Sequence, residues 1–272
     1  MNLKGKTALV TGGSSGLGLS FVEMLLREGV EVWATSRDVS RVPVKENLHA
    51  LAVDLTLPEE VAKFTKGFIK RHGCPDILIN NAGYGAYYEW DSFPEEQITG
   101  QIEILLKTPI SLCRAFAPVM KKRGSGSIVN VSSMACQYPL PFMHLYNAAK
   151  AGLAAFTDSL MIEYSDSKVA IIDFRPGDFR TPFNKGMAMT EIKQNSKNES
   201  AYERAWLQLE KYLNAAPEVA IASAKMKHCL RRNRSGIFEA GDFFQSVIGP
   251  LFFRLAPSGL IRLFIKLYYN LD

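Results

Sequence analysis

Cysteine is scarce in this 272-residue chain: Cys74, Cys113, Cys136 and Cys229 are all it has. None sits at the spacing of a metal knuckle or a redox pair, so free thiols in a reducing compartment are expected and a metal or disulfide framework is not. No uncharged apolar run reaches the ~20 residues a membrane-spanning helix needs. No Pro/Ser/Gly-rich linker, low-complexity run or internal repeat divides the chain, so one domain over residues 1–272 is expected. The start, Met1 to Lys6, runs directly into an apolar strand, which predicts no signal peptide and a cytoplasmic location. The net charge of +5 is mild and scattered. Without a basic stripe interleaved with aromatics it excludes a nucleic-acid partner.

What is present is alternation. Short apolar strands are expected at Thr7–Val10, Glu31–Thr35, His49–Val53, Ile77–Ile79, Ser127–Val131, Val169–Phe174 and Gly236–Glu239. Segments of helical periodicity separate them. Continuous apolar strands alternating with helices predict an α/β fold, a doubly wound parallel sheet with helices on both faces. The length is sufficient for a full core.

Three residues carry chemistry. Tyr146 and Lys150 stand four apart in Y-N-A-A-K, and Ser133 precedes the tyrosine by thirteen residues. On a helix the four-residue spacing puts phenol and ammonium on one face. A phenol titrates near pH ~10, so a fall of about three units needs ~4 kcal/mol, which a close, desolvated cation and a cofactor charge can supply. That chemistry suits the interconversion of a carbonyl and an alcohol. A source of hydride is suggested at the other end. After the first strand come Thr11-Gly12-Gly13-Ser14-Ser15-Gly16-Leu17-Gly18, then a helical pattern through Leu19, Val22, Leu25 and Leu26. A glycine turn between strand and helix lets backbone N–H groups approach a pyrophosphate at the positive end of the helix.

These motifs together resemble the short-chain dehydrogenase/reductase family, in its shorter single-domain group. The resemblance rests on T-G-x-x-x-G-x-G at Thr11–Gly18, Asn80-Asn81-Ala82-Gly83 after the fourth strand, and Ile128-Val129-Asn130-Val131-Ser132-Ser133. Tyr146-x-x-x-Lys150, Pro176-Gly177 and Thr181 follow in order. It covers about residues 4 to 182 and implies a Rossmann-like sheet of order 3-2-1-4-5-6-7, with the cofactor at the carboxyl ends of the strands. It implies Tyr146 as the acid or base, Ser133 as donor to the substrate oxygen, and Lys150 as holder of the nicotinamide ribose and acidifier of the phenol. The remaining cofactor contacts it implies are Gly12, Ser14, Ser15, Gly16, Leu17 and Gly18 at the turn; Asp54 and Leu55 at the adenine edge; and Asn81, Ala82 and Gly83 beneath the ribose. Val131, Pro176, Gly177, Phe179 and Thr181 are expected at the nicotinamide end. Homodimers or homotetramers are common among such proteins, and the alanine-rich helix of Tyr146 is a candidate contact.

The end of the second strand bears on cofactor choice. Where an acid would bind the ribose hydroxyls of NAD, this chain has Ser36 followed by Arg37. Serine does not repel a 2′-phosphate and a guanidinium suits one, so NADP(H) is favoured, with NAD(H) as the alternative. Asp38 lies one residue too far to serve as the ribose acid.

One residue departs from the pattern. Leu105 stands where the family commonly has an asparagine that supports a helix kink and leaves its carbonyl to a water. Pro109, four residues on, has no N–H for that carbonyl and is expected to preserve the kink.

Substrate identity is read from apolar, aromatic and soft residues: Tyr84-Gly85-Ala86-Tyr87-Tyr88-Glu89-Trp90, the run Met134 to Met143, and Phe183, Met187 and Met189. They predict a bulky apolar carbonyl or alcohol of steroid, retinoid, lipid or xenobiotic type. Residues 183–215 are expected to form a substrate lid. Residues 243–272 form an apolar extension, amphipathic from Ser258, with Arg262, Lys266 and Asn270 in one polar stripe. Cleft cover, a subunit contact and peripheral membrane contact are its three readings. Pro217-Glu218-Val219-Ala220 and Leu255-Ala256-Pro257-Ser258 add a weak similarity to steroid- and retinoid-type members. The competing functions are a non-catalytic NADP(H) sensor or scaffold, supported by Leu105 alone, and a sugar-nucleotide epimerase, which usually has another glycine spacing and a larger C-terminal domain.

Overall fold

The computed structural model describes residues 1–190, 200–242 and 248–271. Its elements run β1 (Thr7–Val10), α1 (Gly16–Arg27), β2 (Glu31–Ser36), β3 (Leu48–Ala52), α2 (Pro58–His72), β4 (Ile77–Asn80), β5 (Ala86–Tyr87) and α3 (Glu95–Ile102). A π-helical stretch at Glu103–Lys107 joins α3 to α4 (Thr108–Arg123). Then come β6 (Gly126–Val131), α5 (His144–Glu163), β7 (Val169–Pro176), α6 (Pro182–Lys185), β8 (Ala188–Met189), α7 (Ala201–Ala215), α8 (Ala220–Arg232), β9 (Gly236–Ala240), α9 (Gly249–Leu255) and α10 (Ser258–Tyr268).

Seven strands form one parallel sheet in the order β3-β2-β1-β4-β6-β7-β9. This is the order expected when only main-sheet strands are counted. The short parallel pair β5-β8 was not anticipated, because two-residue strands leave no periodic signal.

Alternate strand residues serve opposite faces. Ala8, Val10, Val32, Ile77, Ile79 and Ile172 pack with Phe21, Val22 and Leu25 of α1 and Met226 and Leu230 of α8. Leu9, Trp33, Leu78, Ile128 and Ile171 pack with Phe68 of α2 and Leu112, Phe116 and Met120 of α4. Both faces are covered, so the inner strands read as nearly continuous apolar runs, while the edge strands β3 and β9 are more exposed.

A third cluster is made differently. Tyr87, Met143, Met187, Tyr202, Leu209, Leu213, Ile265 and Tyr269 bring together loops, α7 and α10. Of the expected lid, residues 191–199 lie outside the described residues; α6, β8 and α7 make up most of the rest. The described part of the extension holds two helices, parted at Ala256-Pro257, where a proline cannot donate to continue α9.

Buried polar bonds fix α5 against the sheet. Asn80 Nδ2 donates to Asn130 Oδ1 at 2.7 Å, and Asn130 Nδ2 donates to Thr157 Oγ1 at 2.9 Å. Each such bond contributes about 1 kcal/mol net, and far more is lost if one partner is removed.

Candidate active site

All the catalytic and cofactor-binding residues expected at the site line one cleft of about 940 Å³ along the carboxyl ends of the strands. Its first wall is the glycine turn. Thr11 Oγ1 accepts from the N–H of Asn81 (2.9 Å) and of Ala82 (3.0 Å), tying this turn to the loop after β4. Gly12 has φ +66°, and a Cβ there would come within 2.9 Å of Ala82 Cα. A Cβ on Gly18 would lie 2.1 Å from the Gly12 carbonyl oxygen. Only glycine fits either place. Helix α1 begins at once, with no side-chain cap from Ser15 and no acid in its first turn. Its positive end therefore faces the cleft, an arrangement that suits a pyrophosphate.

At the far end of this wall stand Ser36, Arg37, Asp54 and Leu55. Ser36 Oγ donates to the Asp38 carbonyl at 2.8 Å. The Asp38 carboxylate is turned back on Ser40, accepting from its hydroxyl (2.6 Å) and N–H (3.0 Å), and these bonds hold its pKa down. Asp54 accepts from Thr56 Oγ1 (2.7 Å) and N–H (2.9 Å). Burial works against its charge, but the Thr56 bonds and the Arg37 cation outweigh it and its pKa is lowered. Arg41 also lines the cleft, a residue the sequence reading missed. The available signal was a second cation four positions beyond Arg37.

The departure at Leu105 has a structural counterpart. The helix is π-wound from Glu103 to Lys107, with the Thr108 N–H bonded to the Glu103 carbonyl. Pro109, lacking an N–H, completes neither the α-type bond to the Leu105 carbonyl nor the π-type bond to that of Ile104. The Leu105 side chain rests against the loop after β4: a Cβ on Gly83 would lie 2.5 Å from Leu105 Cδ2. Thr108 Oγ1 donates to the Leu55 carbonyl at 2.7 Å and holds the irregular turn in place.

Ser133, Tyr146 and Lys150 meet at the middle of the cleft. Lys150 is 5% exposed, and its Nζ donates to the Val131 carbonyl at 2.7 Å and stands 5.8 Å from the centre of the Tyr146 ring. The Tyr146 hydroxyl is hydrogen-bonded to Ser133, whose Oγ also accepts from the Ala135 N–H at 3.1 Å. Burial pushes Lys150 down to about 8. It pushes Tyr146 up to about 12, against the opposing effect of the Ser133 bond. The sequence reading expected an acidified phenol; on the residues of this chain alone, desolvation wins and the phenol is a weaker acid than free tyrosine. Asn147, also missed, fixes the loop around them. Its Nδ2 donates to the carbonyls of Ala135 (2.6 Å) and Tyr138 (2.8 Å), and its Oδ1 accepts from the Leu140 N–H (2.8 Å). A helical asparagine beside the tyrosine was its sequence signal.

The segment after β7 closes the cleft. Gly177 N–H donates to the Ala240 carbonyl at 2.8 Å. Thr181 reaches the glycine turn, so that a Cβ on Gly16 would meet Thr181 Cβ at 3.3 Å. Beyond Tyr146 the lining changes to Tyr138, Leu140, Met143, Phe183 and Met187, with Leu209 and Tyr212 from α7 and Phe253, Phe264 and Tyr268 from the C-terminal helices. Tyr212 stacks on Tyr268, and Tyr138 on Phe253, each at 4.4 Å. Tyr84 and most of the apolar side chains in the 134–143 run are here as expected; Tyr87, Tyr88, Trp90 and Met189 are not. Tyr87 is core, its hydroxyl bonded to the Tyr202 carbonyl at 3.0 Å, and Trp90 is 61% exposed.

The cradle and the uncapped helix end fit a dinucleotide. Comparison with known proteins agrees. The model of the short chain dehydrogenase family matches residues 6–191. A 3-ketodihydrosphingosine reductase of Bacteroides thetaiotaomicron is 27% identical over 270 residues, covering 96% of this chain and 97% of that protein. A short-chain dehydrogenase from Streptomyces avermitilis has the same fold, with TM-score 0.81, 25% identity and coverage of 99% and 98%. A metagenomic short-chain oxidoreductase solved in complex with NADP gives TM-score 0.61 and 32% identity over 66% of this chain and 86% of that one. The glycine cradle, the serine–tyrosine–lysine group and the extent of the family match lead to one conclusion: the chain belongs to the short chain dehydrogenase family and is an NAD(P)-dependent oxidoreductase.

Proposed function

We propose that the protein uses NADP(H) to interconvert a carbonyl and an alcohol on a bulky apolar substrate of steroid, retinoid, lipid or xenobiotic type. One observation carries this reading. Ser133, Tyr146 and Lys150 stand where the backbone-lined cradle meets the ring-lined half of the same cleft. Ser36 and Arg37, with the Asp38 carboxylate turned back on Ser40, support NADP(H), and Arg41 adds a second cation. The likeness over 96% of the chain to a 3-ketodihydrosphingosine reductase supports an apolar ketone.

The turn at Gly12–Gly18 would hold the pyrophosphate. Lys150 and the Pro176–Thr181 segment would hold the nicotinamide end. Bound NADP(H) supplies or accepts the hydride. The chain's own part is proton handling: Ser133 donates a hydrogen bond to the substrate oxygen and Tyr146 Oη gives it a proton. A phenol with pKa about 12 is protonated at neutral pH, which suits reduction. Oxidation needs the phenolate and should climb with pH above neutrality. Ala148, Ala151 and Ala155 form an exposed row on α5 and support a homodimer or homotetramer contact there. A cytoplasmic location with peripheral membrane contact belongs to the same reading.

The test is absorbance loss of NADPH with a panel of apolar ketones. NADPH binding without turnover of any of them would sink the reading and favour the sensor that Leu105 suggests.

A further inference from the structure

The two C-terminal helices present opposite faces to opposite surroundings. Phe264 and Tyr268 of α10 and Phe253 of α9 line the cleft. Phe252 and Phe264, with ring centres 5.5 Å apart, join the two helices. On the outer side Leu251, Leu255, Leu260, Leu263 and Leu267 are 61%, 73%, 49%, 53% and 70% exposed. Leucines at 260, 263 and 267 fall at i, i+3 and i+7 and form one stripe along α10. Arg262 and Lys266 flank it, and Arg254 lies on α9, all exposed. From 243 to 271 there is no acidic residue.

A contiguous apolar strip with a cationic border requires a partner that is apolar beneath and anionic at its surface. A second copy of this chain is the wrong shape of answer. A two-fold contact would set the Arg254, Arg262 and Lys266 border against itself. An anionic bilayer meets both demands, each cation near the surface raising partition on the order of fivefold. The helix α10 has 11 residues, which at 1.5 Å each is about half the ~30 Å of a hydrocarbon core. No described helix is long and apolar enough to cross a membrane. The helices would therefore lie in the interfacial plane with leucines down.

We propose that α9 and α10 dock the protein on an anionic membrane surface and open the ring-lined end of the cleft toward the lipid, so that an apolar substrate enters sideways from the bilayer. This rests on the apolar-substrate reading above. The same helices form the cleft wall and the membrane-facing strip, so docking and access are one geometry.

The experiment is flotation of the full chain with vesicles of phosphatidylcholine alone and of phosphatidylcholine with phosphatidylglycerol. Reduction of a short ketone in solution and of a long-chain ketone dissolved in the same vesicles is measured alongside. Wild type should float with the anionic vesicles only, and added salt should weaken the binding. Leu260→Gln/Leu263→Gln/Leu267→Gln should cut binding and bilayer-ketone turnover by tenfold or more while leaving the soluble ketone untouched. Arg254→Glu/Arg262→Glu should do the same, with circular dichroism as a check on folding. Absence of wild-type flotation at low salt overturns the proposal. So does equal binding to neutral vesicles, or a leucine variant that merely converts a dimer to a monomer in light scattering. Flotation with no turnover of either ketone would leave the docking standing and remove the substrate reading instead.

Discussion

Between the glycine turn and Ser133 the cleft is walled by backbone and small residues; beyond Tyr146 it is walled by rings and methionines. The first half is stated in a language of steric exclusion. Gly18 must be glycine because 2.1 Å separates its missing Cβ from the Gly12 carbonyl, and few chains satisfy such a demand by accident. The second half is assembled from side chains that α7, α9, α10 and three loops deliver from distant places in the chain, with no spacing rule to announce them. On the proposed function, the contrast separates what the protein holds constant, the cofactor, from what it selects.

The contrast can be broken by substitution. The largest effect is expected at the junction: Tyr146→Phe should lower kcat/KM by roughly 10²–10⁴-fold with NADPH affinity retained, measured by steady-state kinetics and fluorescence titration. Next, Gly18→Ala should abolish cofactor binding for every substrate alike and destabilise the fold by about 1–3 kcal/mol, read by calorimetry and thermal melting. Arg37→Ala should weaken NADPH about 10–100-fold, the loss of ~1.5–3 kcal/mol expected for a hydrogen bond to a charged group, and leave NADH unchanged. On the other side Tyr212→Ala, which breaks the stack with Tyr268, should reorder a ketone panel by only a few-fold, since one aromatic pair is worth about 0.5–1.5 kcal/mol. If Tyr212→Ala instead weakened NADPH, the division of labour would be wrong.

A separate expected effect is in the pH dependence of stability. Lys150 titrates near 8 when buried here and near 10.4 when unfolded. Between those values the unfolded chain holds more protons, so wild-type stability rises with pH across the window. Lys150→Met lacks this slope. Its stability advantage over wild type at pH 7, up to about 3 kcal/mol by ~1.4 kcal/mol per unit, should therefore shrink as pH climbs to 10. Chemical denaturation at several pH values checks this.

The inner strands were legible because each is buried on both faces and so is largely apolar, as Val129 and Ile171 show from opposite sides; the more exposed edge strands β3 and β9 were legible from their place in the alternation. The cleft residues of the first half were legible for the steric reason given above. What escaped notice has physical causes. Asn147 bonds the nearby Ala135, Tyr138 and Leu140 backbone and Arg41 lines the cleft, but neither belongs to a motif that spacing announces. Tyr87 and Tyr212 are chemically alike in the sequence, yet one is core and the other lines the cleft, which depends on the packing of α7. The phenol of Tyr146 was read as acidified by a close lysine and a cofactor charge together, whereas on the residues of this chain alone burial raises its pKa.

The stretch from Pro176 to Met189 has a consequence for binding. One end of it leans on Gly16 through Thr181, and the other pairs with β5 next to the substrate wall. On the proposed function a single ribbon would touch both ligands and make their affinities interdependent, and thermodynamics demands that the influence be mutual. Whatever factor NADPH adds to the grip on ketone, the ketone must return to NADPH, so each guest should bind the protein already holding the other with an affinity changed by the same factor.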